Sequence, residues 1–308
     1  MIYTITLNPA LDRTLWVDRI QSDDSNRILR EEKYAGGKGI DVSRVLATLG
    51  VASKAIGFIG GFAGEELEGM LLGEGIICDF IKISGETRTN IIANDITTGK
   101  QLSFNDKGPE IKHYELIQMI RKLENLEKPE IIVISGSLPP GVHPEIYRKI
   151  TEKAKSKGAK VILDTDGDAL KVGIKGYPDA IKPNIHELSR LVDMELNETG
   201  KIIEAAHSIH KQGIGNVLVS MGAEGILLIS EKERYVASPP KVEVKNTIGA
   251  GDSAVAGFVY GLISGKSFKE ALIYAVAAGT ATTLRAGTAL CEKDDFLRLI
   301  PQITLKSI

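Results

Sequence analysis

The run Asn246-Thr247-Ile248-Gly249-Ala250-Gly251-Asp252-Ser253 combines an anion-binding backbone with a proton acceptor. Gly249 and Gly251 flank Ala250, so three successive N–H groups are bare of bulky side chains. The apolar run that follows, Ala254 to Ile263, has the composition of a helix opening at that point. A helix start offers unpaired amide donors and the positive end of the helix dipole, which together attract an anion. Asp252 in the same first turn adds a carboxylate able to take the proton of an attacking hydroxyl. The pairing suggests phosphoryl transfer onto an alcohol. Read alone, the same residues also fit a capped helix start in which Asp252 only complements the dipole.

Other residues compete for roles around that mouth. Gly36-Gly37-Lys38-Gly39 leads into the helical run Ile40–Leu49. It reads as a substrate floor where Lys38 holds an anionic group, or as a flexible turn with a solvated lysine. In Lys182-Pro183-Asn184-Ile185-His186-Glu187, Asn184 and Glu187 are three apart and share a helical face. They suit a hydrated magnesium ion, and equally a capping box; both can hold at once. His186 reads as a solvated helix residue. Asp12 follows Asn8-Pro9-Ala10 just past the first strand. Arg88 suits bidentate capture of a phosphate already on the substrate, with Arg27 a weaker candidate. Ser135–Gly141, including Ser137, lines a sugar pocket or makes a turn. Two nucleotide motifs fail: Gly261–Ser267 is one residue short of a Walker A loop, with Tyr260 at its first glycine position, and Gly57, Gly60, Gly61 and Gly64 lack the Rossmann spacing.

These residues need a scaffold, and the chain can build one. It has 308 residues, 43% hydrophobic and 25% charged, ordinary for a soluble protein with a full core. A formal net charge of −2 points away from nucleic acid and from anionic membranes. Cys78 and Cys291 are far apart, without disulfide or zinc spacing; no signal peptide or membrane-length apolar run is present, so a cytoplasmic setting is expected. Strand patterns at Ile2–Leu7, Ala55–Ile59, Ile131–Ser135, Lys160–Asp164, Asp179–Lys182, Val217–Ser220 and Gly225–Ile229 are interleaved with helical ones. The helical patterns are Val42–Leu49, Glu65–Leu72, Tyr114–Leu123, Pro144–Lys155 and Ile202–Lys211. The order predicts an α/β fold with a doubly wound, mostly parallel sheet and ligands beyond the carboxyl ends of its strands. Leu15–Tyr34 and Thr87–Phe104 break the pattern, the second with a hairpin turn at Thr97-Thr98-Gly99-Lys100. They predict a small projecting sheet, a lid or a dimer contact.

Taken in order, the motifs resemble the ribokinase-like carbohydrate kinases, in particular the phosphofructokinase-B branch acting on hexose monophosphates. The likeness rests on Thr6–Asp12, Gly36–Gly39, Thr87–Asn90, Ser135–Gly141, Lys182–Glu187, Ser220-Met221-Gly222, Thr247–Asp252 and Ala278–Ala281. The resemblance implies a three-layer ribokinase-like domain over residues 1–308, with lid segments at about 12–34 and 87–104, and a homodimer through the lid. It makes Asp252 the base and the amides of Gly249, Ala250 and Gly251 the cradle of the migrating phosphoryl group. Asn184 and Glu187 organise magnesium, with Lys182, Ser220, Gly222, Gly249 and Gly251 near ATP. Asp12 and the Gly37 region bind sugar hydroxyls and Lys38 with Arg88 holds the sugar's phosphate, with Asp41, Ser137 and Arg27 further candidates for substrate binding.

The expected reaction is ATP-dependent phosphorylation of a ketohexose monophosphate, fructose 1-phosphate first, then fructose 6-phosphate or tagatose 6-phosphate. A neutral sugar or nucleoside kinase would leave Lys38 and Arg88 without purpose, and a catalytically silent sensor would have no need of Asp252. Two positions depart from the pattern: Asp41 stands where this branch usually has Asn, and Asp166 where relatives often show Ser. An ionised Asp41 accepts but cannot donate a hydrogen bond, and repels a phosphate.

Overall fold

Along Ile131–Ser135, Ile132 and Ile134 enter one apolar layer while Ile131 and Val133 enter another. Side chains of a strand alternate faces, so a run apolar at every position must be covered on both sides. The computed structural model describes residues 1–231, 233–287 and 289–308, and its central sheet follows from this rule.

In chain order, β1 (Ile2–Thr6), β2 (Ala10–Val17) and β3 (Ile28–Gly36) precede α1 (Lys38–Thr48), β4 (Ser53–Ile59) and α2 (Gly61–Gly73). Then come the short β5 (Ile77–Cys78) and β6 (Ile81–Lys82), followed by β7 (Arg88–Asp95) and β8 (Gln101–Phe104). The middle of the chain alternates α3 (His113–Glu124), β9 (Ile131–Ser135), α4 (Glu145–Ser156), β10 (Lys160–Asp164), α5 (Gly167–Gly173) and β11 (Ala180–Ile181). Next are α6 (Ile185–Val192), α7 (Thr199–His210), β12 (Asn216–Ser220), β13 (Ile226–Ile229) and β14 (Arg234–Ser238). The last elements are α8 (Ala250–Ile263), α9 (Phe268–Thr283), α10 (Lys293–Leu299) and β15 (Thr304–Ser307).

The large sheet runs β15-β14-β13-β12-β11-β10-β9-β1-β4-β5, with β6 also on β4. Pairing is parallel from β4 to β12 and antiparallel from β13 outwards. The carboxyl ends of β1, β9, β10, β11 and β12 therefore share one rim, which carries Asn8, Ser137, Asp164, Lys182 and Ser220. Helices α1, α8 and α9 cover one face, and α3, α4 and α7 the other. This is the doubly wound fold expected from the sequence.

The two irregular segments form a second sheet, β3-β2-β7-β8. Its register sets Ala10 opposite both Gly36 and Arg88, and Asp12 opposite both Tyr34 and Asn90. The turn at Thr97–Lys100 is present, with the Thr98 amide donating to Asp95 Oδ1 at 2.7 Å.

Some boundaries differ from the sequence reading. Helix α1 opens at Lys38, inside the glycine cluster. Of the expected Asp179–Lys182 strand, β11 keeps Ala180–Ile181, while the flanking Asp179 and Lys182 amides still donate to the Val161 and Leu163 carbonyls of β10 at 2.9 and 3.2 Å. In the Walker-like stretch, Gly261 lies within α8 and Ser267 caps α9, so no phosphate loop forms. Among the described residues no helix is long and apolar enough to cross a membrane.

Candidate active site

Gly249 caps α8 in the left-handed conformation (φ 74°), and a Cβ built there would lie 2.5 Å from Leu290 Cδ2. Only glycine fits both demands. The Ala250 amide makes a long bond to the Thr247 carbonyl at 3.3 Å, and the Ser253 amide donates to the Gly249 carbonyl at 2.9 Å. The amides of Gly251 and Asp252, between them in the first turn, have no carbonyl inside the helix to bond.

Two lysines and two buried carboxylates face this mouth. A Cβ built on Gly251 would sit 3.4 Å from Lys182 Nζ, so the ammonium lies directly under the first turn. Lys182 is only 5% exposed, and its Nζ is 3.5 Å from Asp164 Oδ1. Asp164 ends β10, is 1% exposed, and shares that same oxygen with Lys38 Nζ at 3.5 Å. Lys38 also lies 3.6 Å from Glu187 Oε1. The other oxygen of Asp164, Oδ2, is buried with no hydrogen-bond partner, an arrangement proteins rarely leave without a ligand.

The charges set the protonation of Asp252. Burial first, then repulsion from Asp164, pushes its pKa up to about 7, against the attraction of Lys38 and Lys182. Lys38 is held firmly protonated by Asp164 above all, with Asp252 and Glu187 assisting against the burial that opposes them. The arrangement is a half-buried acid poised near neutrality beside two fixed cations.

The nucleotide candidates line the adjoining rim. The Glu187 amide donates to Asn184 Oδ1 at 2.8 Å and the Asn184 amide to Glu187 Oε2 at 2.8 Å, so the capping box is formed. Glu187 Oε1 is left to face Lys38, so the cap does not preclude a second duty. Asn184 bridges to Ser220 in the next strand, and Gly222 follows on an exposed turn. His186 is exposed, as expected.

The opposite side of the mouth is built by the second sheet and α1. Asp12 accepts from Asn90 Nδ2 at 2.8 Å, and its carboxylate lies so close to Gly36 that no side chain fits there. Burial raises the Asp12 pKa, with Asn90 and Arg88 opposing. A Cβ on Gly37 (φ 123°) would come within 2.9 Å of Thr6 Cγ2, so the glycine cluster is a packing requirement and not a loose turn. Asp41 lies one turn beyond Lys38, with Arg44 Nη1 3.5 Å from its Oδ1. Arg88 is anchored by donating to the Asn8 carbonyl (Nη2, 2.9 Å) and the Asp106 carbonyl (Nη1, 2.9 Å).

Three of the expected substrate-binding residues do not come together here. Lys38 and Arg88 have separate partners in the protein: the first lies against Asp164 and Glu187, the second donates to the carbonyls of Asn8, Pro9 and Asp106. Arg27 is not brought to this chain's own cleft, because it is exposed just before β3, at the hairpin end opposite Asp12. Asp166 is occupied in capping α5, where its Oδ1 accepts the Gly167 amide at 2.6 Å, and in pairing with Arg190 at 2.6 Å.

Two residues were missed. Asp164 is central, and its only sequence signal is a carboxylate closing an apolar strand on the ligand rim. Asn8 is 4% exposed; its Nδ2 donates to the Lys107 carbonyl at 3.1 Å and to Ser137 Oγ at 3.2 Å. Ser137 thereby keeps its own proton for a ligand, while Asn8 Oδ1 is buried without a partner.

Residues 5–295 match the family model for pfkB family carbohydrate kinases. The chain belongs to the pfkB family. The 1-phosphofructokinase of Borreliella burgdorferi is 38% identical over 100% of this chain and 99% of its own length. That of Bacillus subtilis is 35% identical over 98% of each. The phosphofructokinase-2 of Escherichia coli, solved with potassium, superposes with a TM-score of 0.93 at 34% identity, covering 97% of this chain and 98% of that one. The pfkB kinases are phosphotransferases with a sugar acceptor.

Proposed function

We propose that this pfkB kinase transfers the γ-phosphoryl group of ATP to the free primary hydroxyl of fructose 1-phosphate, giving fructose 1,6-bisphosphate and ADP. The observation that carries the reading is Asp252 in the first turn of α8, with Lys182 beneath the turn and Asp12 and Asp41 on the other side. The curated relatives named 1-phosphofructokinase support the choice of sugar. The sugar oxygen attacks Pγ, the bond from Pγ to the bridging oxygen breaks, and Asp252 takes the hydroxyl proton. Transfer of this kind needs positioning and charge stabilisation more than covalent chemistry. The first-turn amides and Lys182 offset the charge developing on the equatorial oxygens, while Lys38 bridges Asp164 and Glu187 across the mouth. Arg88 and Ser137 face the substrate's existing phosphate, and Asn8 fixes both.

Magnesium fits this donor set. Among the described residues no group of three or more His, Cys, Asp or Glu side chains is arranged to hold a metal unaided. A hydrated ion shared with phosphates needs only one or two carboxylates, and Asp164 Oδ2 and Glu187 Oε1 are available for that, with Asn184 beside them. When bound, the ion supplies neutralisation of the nucleotide's phosphate charge.

We read residues 1–308 as one kinase domain with the lid strands inserted, working in the cytoplasm. A homodimer through the second sheet suits its exposed apolar side chains, Ile28, Leu29, Leu102 and Phe104. Fructose 6-phosphate is the second reading, favoured by the likeness to phosphofructokinase-2, whose structure has also been solved with that sugar.

The test is ADP release with fructose 1-phosphate, fructose 6-phosphate, tagatose 6-phosphate and neutral fructose. The expected order puts fructose 1-phosphate first and fructose at least about tenfold lower in kcat/KM, the scale of one lost charge-assisted contact. Equal turnover of the neutral sugar would remove the reading.

A further inference from the structure

Asp41 sits where an ionised carboxylate has too few partners. It projects from the first turn of α1, its side chain 17% exposed, and the charges of Asp252 on α8 and Asp12 on β2 both bear on it. The cation on its own helix, Arg44, is shared. Arg44 Nε donates to Glu74 Oε2, just beyond α2, at 2.8 Å, and its Nη1 divides between the Ala35 carbonyl at 3.4 Å and Asp41 Oδ1 at 3.5 Å. The other cations of the cleft are engaged elsewhere, Lys38 with Asp164 and Glu187, Lys182 with Asp164, and Arg88 with backbone carbonyls. One guanidinium thus serves Asp41, Glu74 and, at longer range, Asp12. Burial and two like charges favour the protonated acid, and a shared arginine opposes them only in part.

We propose that Asp41 meets the sugar as a neutral carboxylic acid whose O–H donates a hydrogen bond to a sugar oxygen. This rests on the cleft being a sugar-phosphate site. Burial first, then Asp252 and Asp12, raises the Asp41 pKa well above the usual carboxylate range, against Arg44. A neutral Asp41 removes the repulsion that an ionised one would exert on the substrate's phosphate. It also leaves Asp252 as the member of the pair that ionises, the state a base requires. Loss of the proton at higher pH turns the donor into a further negative charge on the sugar side of the cleft, so sugar binding weakens while ATP binding does not.

KM for fructose 1-phosphate and for ATP, measured from pH 6 to 9 in the wild type, Asp41→Asn and Asp41→Leu, tests this. Wild-type KM for the sugar should rise at alkaline pH by up to roughly tenfold per pH unit, the slope of one proton. The rise should be absent in Asp41→Asn, whose side chain donates without titrating. Asp41→Leu, which has no donor, should have a sugar KM roughly tenfold above Asp41→Asn at every pH. An alkaline rise as steep in Asp41→Asn as in the wild type, or a sugar KM no better in Asp41→Asn than in Asp41→Leu, overturns the proposal. If the wild type turns over none of the sugar phosphates, the kinase reading fails separately, and carboxyl ¹³C NMR of aspartate-labelled protein decides about Asp41. A resonance titrating above the usual carboxylate range and missing from Asp41→Asn supports the neutral acid; a normal titration overturns it.

Discussion

Asp252 is held between opposed influences, so its protonation should control both turnover and stability. Burial and Asp164 keep a proton on it, while Lys38 and Lys182 draw the proton off, and the balance lies at about 7. The acid limb of kcat/KM should therefore fall with an apparent pKa near neutrality, a property of the charge cluster and not of one residue alone. The stability effect has the opposite sense from that of an ordinary paired carboxylate. The folded pKa lies above the unfolded 3.8, so the contribution is complete below about 3.8 and lost as pH rises through about 7. The melting temperature of the wild type relative to Asp252→Asn should fall between pH 4 and pH 8; a rise would contradict the burial of charge at this position. Lys38 and Arg88 should separate kinetically. Lys38→Ala, which removes the cation that bridges Asp164 and Glu187 and draws the proton off Asp252, should lower kcat on the order of 10²-fold and alter the sugar KM little. Arg88→Ala should raise that KM about tenfold or more, with KM for ATP nearly unchanged. Steady-state kinetics with both substrates varied distinguishes these patterns.

At the scale of elements, the proposed transfer makes kcat sensitive to how α8 begins. Gly249→Ala would force a side chain into the left-handed region, costing on the order of 1–2 kcal/mol, and against Leu290. The first turn would shift relative to Lys182, so kcat should drop on the order of 10²–10³-fold, the scale of a lost oxyanion donor. Circular dichroism and a thermal melt should show the helix retained. Gly249–Asp252 was legible in the sequence because helix starts, bare amides and acidic first turns are local features. Strands were legible for the same reason, since Ile131–Ile134 alternates between two layers whatever lies beyond it. Strand direction was not, and β13 pairs antiparallel on β12 with nothing in its composition to announce it. Nor were partners across the sheet: Lys38 meets Asp164 from 126 residues away, so a glycine-loop lysine that reads as a phosphate clamp turns out to be paired. Asp164 itself looks like any strand end, and Arg27 looks near the cleft only until the hairpin register is known.

At the scale of the whole molecule, the second sheet connects the cleft to a surface. Its root carries Asp12, Asn90 and Arg88, and its outer strands expose Ile28, Leu29, Leu102 and Phe104. Leu102 and Phe104 are two apart on β8 and share one face, an apolar pair on an edge strand that a soluble monomer would seldom keep bare. Sedimentation should find a dimer, and Phe104→Asp should shift it towards monomer; a monomeric wild type would remove the lid contact. The transfer chemistry itself is tested most directly by Asp252→Asn, assayed for ADP release with fructose 1-phosphate alongside calorimetric ATP binding. The expected result is a loss of about 10²–10⁴-fold in kcat, the range for a general base, with ATP affinity largely kept. Turnover equal to that of the wild type would mean that the proton leaves by another route and that the mouth of α8 is not where the phosphoryl group moves.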